Sequence, residues 1–133
     1  MRKKILVVDD DAELVDLLSF NLKQAGYTVG TAFNGAEALA KARSFAPDLI
    51  VLDVMMPELD GFAVCEILRR DPATATIPIL MLTALSSELG RMAGLGSGAS
   101  DFMSKPFSPR LIVARVEDLL KKASDLTHTS APQ

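Results

Sequence analysis

The sequence is short of cysteine, tryptophan and histidine, and each shortage removes a class of function. Cys65 is the single cysteine among 133 residues, so no internal disulfide forms and no cysteine-rich zinc site can assemble. One thiol fits a reducing compartment, and the expected location is the cytoplasm. Tryptophan is absent and aromatics make up 5% of the chain, so the core must be aliphatic. The lone histidine, His128, sits in a polar stretch, and no histidine lies near the motifs described below. A Ser–His or Cys–His nucleophilic pair is therefore not available. Charge of one sign is lacking too. The net charge is −3 with acids and bases interspersed, and no Lys/Arg cluster makes a nucleic-acid or membrane stripe. Direct nucleic-acid binding and membrane association are not expected. No apolar run approaches a membrane span. Arg2, Lys3 and Lys4 could open a signal peptide, but the apolar run after them, 5–8, is too short and three aspartates follow.

What is present is aliphatic, enough for one domain with a substantial core. The central stretch is DLIVLDVMMPELDG at 48–61. Its run 49–52 is too short for a helix, rich in β-favouring side chains, and suits a strand buried on both faces. Asp53 closes the run, and Met56-Pro57 with Asp60-Gly61 marks a loop. Similar apolar strands are expected at 4–8, 27–32, 77–82 and 101–104. Helices are expected between them: one with Leu14, Val15, Leu18 and Leu22 on its inner face, stopped by Gly26; one after Asn34-Gly35, ending before Pro47; one at 61–70 with Cys65 on its apolar side as a buried structural thiol; and one at 86–96. Gly90 and Gly94 each cost the last of these roughly 1 kcal/mol against Ala. A fifth helix follows Ser108-Pro109, a good N-cap with Pro at N1, and runs to about Lys122. Five strands alternating with five helices predict one α/β domain, a doubly wound parallel sheet. The domain spans 1–123, with a loose polar tail at 124–133.

In a parallel sheet the chemistry gathers at one edge. The first strand ends in Asp9-Asp10, the third in Asp53, the fourth in Thr83, the fifth in Lys105. Clustered carboxylates raise one another's pKa, and a hard divalent cation such as Mg²⁺ relieves the repulsion. With an ammonium and a hydroxyl added, the set suits a phosphoryl group, with Asp53 as the attacking nucleophile. Taken singly, each residue has a plainer reading. The Asp9–Asp11 run could equally cap the first helix. Thr83 could be an ordinary strand end, Lys105 a solvated charge, and Phe102 a core side chain.

The chain resembles the receiver domains of bacterial two-component response regulators, over about residues 3–122. The likeness is carried by ILVVDDD at 5–11, DLIVLDVMMPELDG at 48–61, PILMLTA at 78–84 and GASDFMSKPF at 98–107. It implies a flavodoxin-like strand order, 2-1-3-4-5. It implies Asp53 as the phospho-accepting residue, and Mg²⁺ held by Asp10, Asp53 and the main-chain carbonyl of Met55, with Asp9 acting through water. It implies Thr83 as the switch hydroxyl, Lys105 as the phosphate-binding lysine, a cis bond at Lys105-Pro106, and Phe102 as the switch aromatic. The implied partner is a sensor histidine kinase or a histidine phosphotransfer protein. The implied output is remodelling of the face made by the fourth helix, fifth strand and fifth helix.

Two rivals share part of this chemistry. Haloacid-dehalogenase-like phosphatases carry a second Asp two residues after the nucleophile, where this chain has Met55. A flavin-binding protein of the same fold needs a Ser/Thr/Gly-rich phosphate loop where this chain has acids. A receiver-like module that is never phosphorylated is a third reading, at odds with so complete a site. Met55 and Leu85, both apolar, cannot orient an attacking water, which predicts slow self-hydrolysis of the acyl phosphate. Arg91, Asp101 and Arg115 match part of the pattern by which winged-helix regulators of the family dimerise, whereas Ser100 and Leu111 depart from it. The segment DGFAVCEILRRDP also resembles receivers joined to diguanylate cyclase domains. Neither output domain is expected within these residues, which fit a stand-alone regulator or the receiver of a longer one.

Overall fold

The computed structural model describes residues 2–84, 96–105 and 108–129, and only the backbone over 125–129. Its strands are β1 (Lys4–Val8), β2 (Thr28–Ala32), β3 (Leu49–Asp53), β4 (Ile79–Thr83) and β5 (Asp101–Ser104). They form one parallel sheet in the order β2-β1-β3-β4-β5, the expected doubly wound arrangement. The described helices are α1 (Ala12–Gln24), α2 (Gly35–Ser44), α3 (Gly61–Arg70) and a C-terminal helix (Pro109–Thr129). The helix expected over 86–96 falls almost wholly outside the described residues, as do Leu85, Arg91 and Pro106.

Why the strands read as unbroken apolar runs is plain from the packing. Alternate side chains leave opposite faces of a strand, and here both faces are covered. Leu6, Val8, Ile50, Leu52, Ile79 and Met81 point to one side, against Ala38 and Ala42 of α2 and Val64, Cys65 and Leu68 of α3. Ile5, Val7, Leu49, Val51, Leu80 and Leu82 point to the other, against Val15, Leu18 and Leu22 of α1 and Ile112, Val116 and Leu119 of the C-terminal helix. Cys65 is buried, as its position on the apolar face implied.

Local chemistry sets the helix starts. Asp11, Asn34 and Asp60 are extended N-caps whose side chains accept from backbone amides of the first turn. Gly26, at φ 101°, takes the left-handed position that ends α1. At the other end of the chain the expectation needs correction. The C-terminal helix continues to Thr129 rather than ending near Lys122, so 124–129 are helical. Extending an existing helix costs far less than nucleating one, so poor helix formers such as Thr and His can be carried along. Among the described residues no helix is long and apolar enough to cross a membrane.

Ile50 is 1% exposed in the central strand, whereas Ile67 on α3 is 42% exposed. Ile50→Ala is therefore expected to cost about 2–5 kcal/mol and Ile67→Ala less than about 1 kcal/mol. Urea unfolding of the two variants checks the contrast.

Candidate functional site

Parallel strands share a carboxyl edge, and the candidate residues stand along it. Asp9 and Asp10 follow β1, Asp53 closes β3, Thr83 closes β4 and Lys105 follows β5. Asp9 and Asp53 are each 1% exposed and Thr83 is fully buried, while Asp10 faces solvent. Carboxylate oxygens of Asp9, Asp10 and Asp53 lie within 4.8 Å of one another. This all-oxygen cluster could hold a metal ion, and its chemistry suits a hard divalent cation.

Lys105 joins the two buried acids. Its Nζ lies 3.1 Å from Asp9 Oδ2 and 3.0 Å from Asp53 Oδ1. The second contact is one of charge: Asp53 Oδ1 is buried and has no aligned hydrogen bond. Three carboxylates against one ammonium leave an excess of negative charge, and that buried oxygen has capacity for a cation. Burial pushes the Asp53 carboxyl up to about 6, and the neighbouring charge of Asp9 adds to it, against the lowering pull of Lys105 and the Met55 amide. For Lys105, burial opposes the charged form, but the two carboxylates outweigh it and hold the ammonium above its ordinary value.

The aspartate run divides its work. Asp11 caps α1, its Oδ1 accepting from the Glu13 and Leu14 amides, as the plainer reading of the run required. Its own amide donates to Asp9 Oδ1 at 3.0 Å, so the helix start orients Asp9, whose other oxygen meets Lys105. Asp10 is left exposed beside them.

The loop after Asp53 is folded back tightly. The Val54 carbonyl accepts from the Met56 and Gly61 amides at 3.1 and 2.9 Å, and Glu58 takes a left-handed φ of 68°. A Cβ at Gly61 would lie 2.3 Å from the Asp53 carbonyl oxygen and 2.8 Å from Val54 Cα. The Asp60-Gly61 pair signalled a loop in the sequence, but not this contact against the end of β3. Met55 lies in the loop with its side chain exposed, beside an open and mostly apolar hollow of about 400 Å³ that also includes Val54, Met56, Pro57, Asp60 and Phe62.

Thr83 and Phe102 are related by register. Asp53 pairs with Leu82, so Thr83 lies one residue beyond it, and Met81 pairs with Phe102. Alternation then puts Thr83 on the face that Met81 and Phe102 share. The Lys105 amide donates to the Thr83 carbonyl at 2.7 Å, tying the last two strand ends together.

Residues 5–117 match the response regulator receiver domain family. The chain is 54% identical over 123 residues to the alkaline phosphatase synthesis transcriptional regulatory protein PhoP of Bacillus subtilis, covering 92% of this chain and 50% of that protein. It is 49% identical over 119 residues to the DNA-binding dual master transcriptional regulator RpaA of Synechocystis, covering 90% of this chain and 49% of that protein. The chain thus spans about half the length of these curated relatives. Among solved structures, a putative response regulator from Chloroflexus aurantiacus superposes with a TM-score of 0.86 at 40% identity, covering 91% of this chain and 99% of that one.

An acid whose folded pKa is raised from 3.8 to about 6 binds more protons folded than unfolded in that window. Stability of the metal-free protein should therefore fall as pH rises from about 4 to about 6, by on the order of 3 kcal/mol. Asp53→Asn should flatten this dependence, which thermal melts across pH would measure. Separately, Gly61→Ala should destabilise by at least about 2 kcal/mol in urea unfolding. Gly96→Ala, whose added Cβ meets nothing within 4 Å, should be neutral or stabilising.

Proposed function

Since this chain belongs to the response regulator receiver domain family, we propose that it is the phosphoacceptor of a two-component pair, taking a phosphoryl group onto Asp53 from a phosphohistidine of a sensor histidine kinase or a histidine phosphotransfer protein. The observation that carries this reading is Lys105 between buried Asp9 and Asp53, with Asp10 close by. An Asp53 carboxylate oxygen attacks phosphorus, the P–N bond breaks, and imidazole leaves with the bonding electrons. Lys105 neutralises phosphoryl oxygens and the Thr83 hydroxyl donates to one of them. Asp10, Asp53 and the Met55 carbonyl would hold Mg²⁺, with Asp9 acting through water. The bound ion supplies further neutralisation of phosphoryl charge.

The product is a signal rather than a metabolite. Receiver domains are signalling proteins, and this one is read as acting only on its own phosphorylation and dephosphorylation, in the cytoplasm. Thr83 drawn towards the phosphoryl group would let Phe102, on the same sheet face, follow. The surface that changes is made by the helix expected over 86–96, β5 and the C-terminal helix. PhoP and RpaA are named as transcriptional regulators, so control of transcription through a further domain is one reading of the output. The receiver itself is read as not touching DNA. A homodimer through the switch surface has weaker support, because Asp101 and Arg115 are paired with each other within the chain at 2.5 Å.

Intact mass after incubation with Mg²⁺ and a small acyl phosphate tests the proposal. One phosphoryl adduct is expected in the wild type, none in Asp53→Asn, and none with a chelator. The adduct should decay slowly, and faster in Met55→Asn. Absence of any adduct, together with no binding of beryllofluoride and Mg²⁺, would overturn the reading.

A further inference from the structure

Away from the carboxyl edge, one side chain makes more main-chain contacts than packing demands. Arg69, near the end of α3, donates through Nε to the Gly98 carbonyl at 2.8 Å. Through Nη1 it donates to the carbonyls of Ala75 and Ile77 at 3.1 and 2.7 Å. Three separate stretches are thus joined by one planar cation: α3, the approach to β4, and the turn before β5. A guanidinium can donate in several fixed directions at once, which an ammonium cannot.

The turn it grips is fitted to it. Gly98 has φ 102°, and a Cβ there would lie 2.8 Å from Arg69 Cγ. Ser97 interacts with Cys65 of α3, one helical turn before Arg69. Ser100 is locked to the start of β4 in both directions, its amide donating to the Ile79 carbonyl at 2.9 Å and its Oγ accepting from the Ile79 amide at 3.0 Å. Residues 97–100 are therefore fastened to α3 and to β4 just before the strand that carries Phe102.

We propose that Arg69 is a positioning residue for the switch. Its guanidinium fixes the start of β5, so that a change at Thr83 moves Phe102 instead of being absorbed by displacement of the strand. The role rests on the phosphoacceptor reading above. Removing the grip should leave Asp53 able to take a phosphoryl group while uncoupling β5 from that event.

The test compares full-length wild type, Arg69→Ala and Arg69→Lys, each with intact mass and amide hydrogen exchange across 97–105, before and after phosphoryl loading. All three should form the Asp53 adduct. Unloaded, both variants should exchange about tenfold faster than wild type at 97–100, with Lys failing to rescue. The loading-dependent change at 101–105 should fall below half its wild-type size in both. A wild-type response in either variant, despite a full adduct, would overturn the positioning role. So would an Arg69→Lys that behaves as wild type at 97–100. If Arg69→Ala does not fold, Arg69→Lys alone decides. No adduct even in wild type would instead defeat the phosphoacceptor reading, and the positioning role with it.

Discussion

One ammonium between two buried carboxylates is the interaction on which the rest depends. Asp9 and Asp53 are both withdrawn from water, and without Lys105 their charges would face each other uncompensated. Lys105 reaches them only because β5 runs parallel to β1 and β3 and delivers its last residues to the same edge. The balance is deliberately incomplete in the physical sense that Asp10 and the unaligned Asp53 oxygen keep the site anionic. Such an all-oxygen anionic cluster could hold a hard metal ion, whose charge would then dominate the site. The fold's two apolar layers serve this arrangement by holding five strand ends in register.

Much of this was legible in the sequence, because the signals are local. Runs such as 5–8 and 49–52 admit burial on both faces and little else, and each ends at a charged or hydroxylated residue. Asp11, Asn34 and Asp60 announce helix starts by side-chain chemistry alone. Contacts between distant residues were not legible. Nothing in DGFAVCEILRR says that Arg69 reaches Gly98, or that Gly61 presses on the carbonyl of Asp53, since both depend on how α3 lies on the sheet. The reach of the C-terminal helix is hidden in the sequence for another reason. Composition scores each residue by itself, whereas helix growth is cooperative.

The likeness to PhoP and RpaA covers about half of each of those proteins. What this chain's residues account for is the receiver domain that those proteins share with it. The register puts Thr83 and Phe102 on one face, with Thr83 one residue past the strand position that pairs with Asp53.

The two edges of the sheet are secured in different currencies. At the amino edge, Lys4 donates from its backbone to Asp48 and from its Nζ to the Phe45 carbonyl, both at 2.8 Å, and the Arg69 and Ser100 bonds close the far side. Those are directional bonds, mostly to neutral backbone groups. At the carboxyl edge the ties are between opposite charges, which a covalently added anion or a bound cation rearranges at once. Burial of Asp9 and Asp53 largely shields those ties from dissolved ions, so it is charge placed within the site that acts on them. The molecule therefore has a seam that an added charge can loosen, opposite a seam that it leaves closed. Sequence change at the closed seam can tune durability without touching the charge arithmetic of the other.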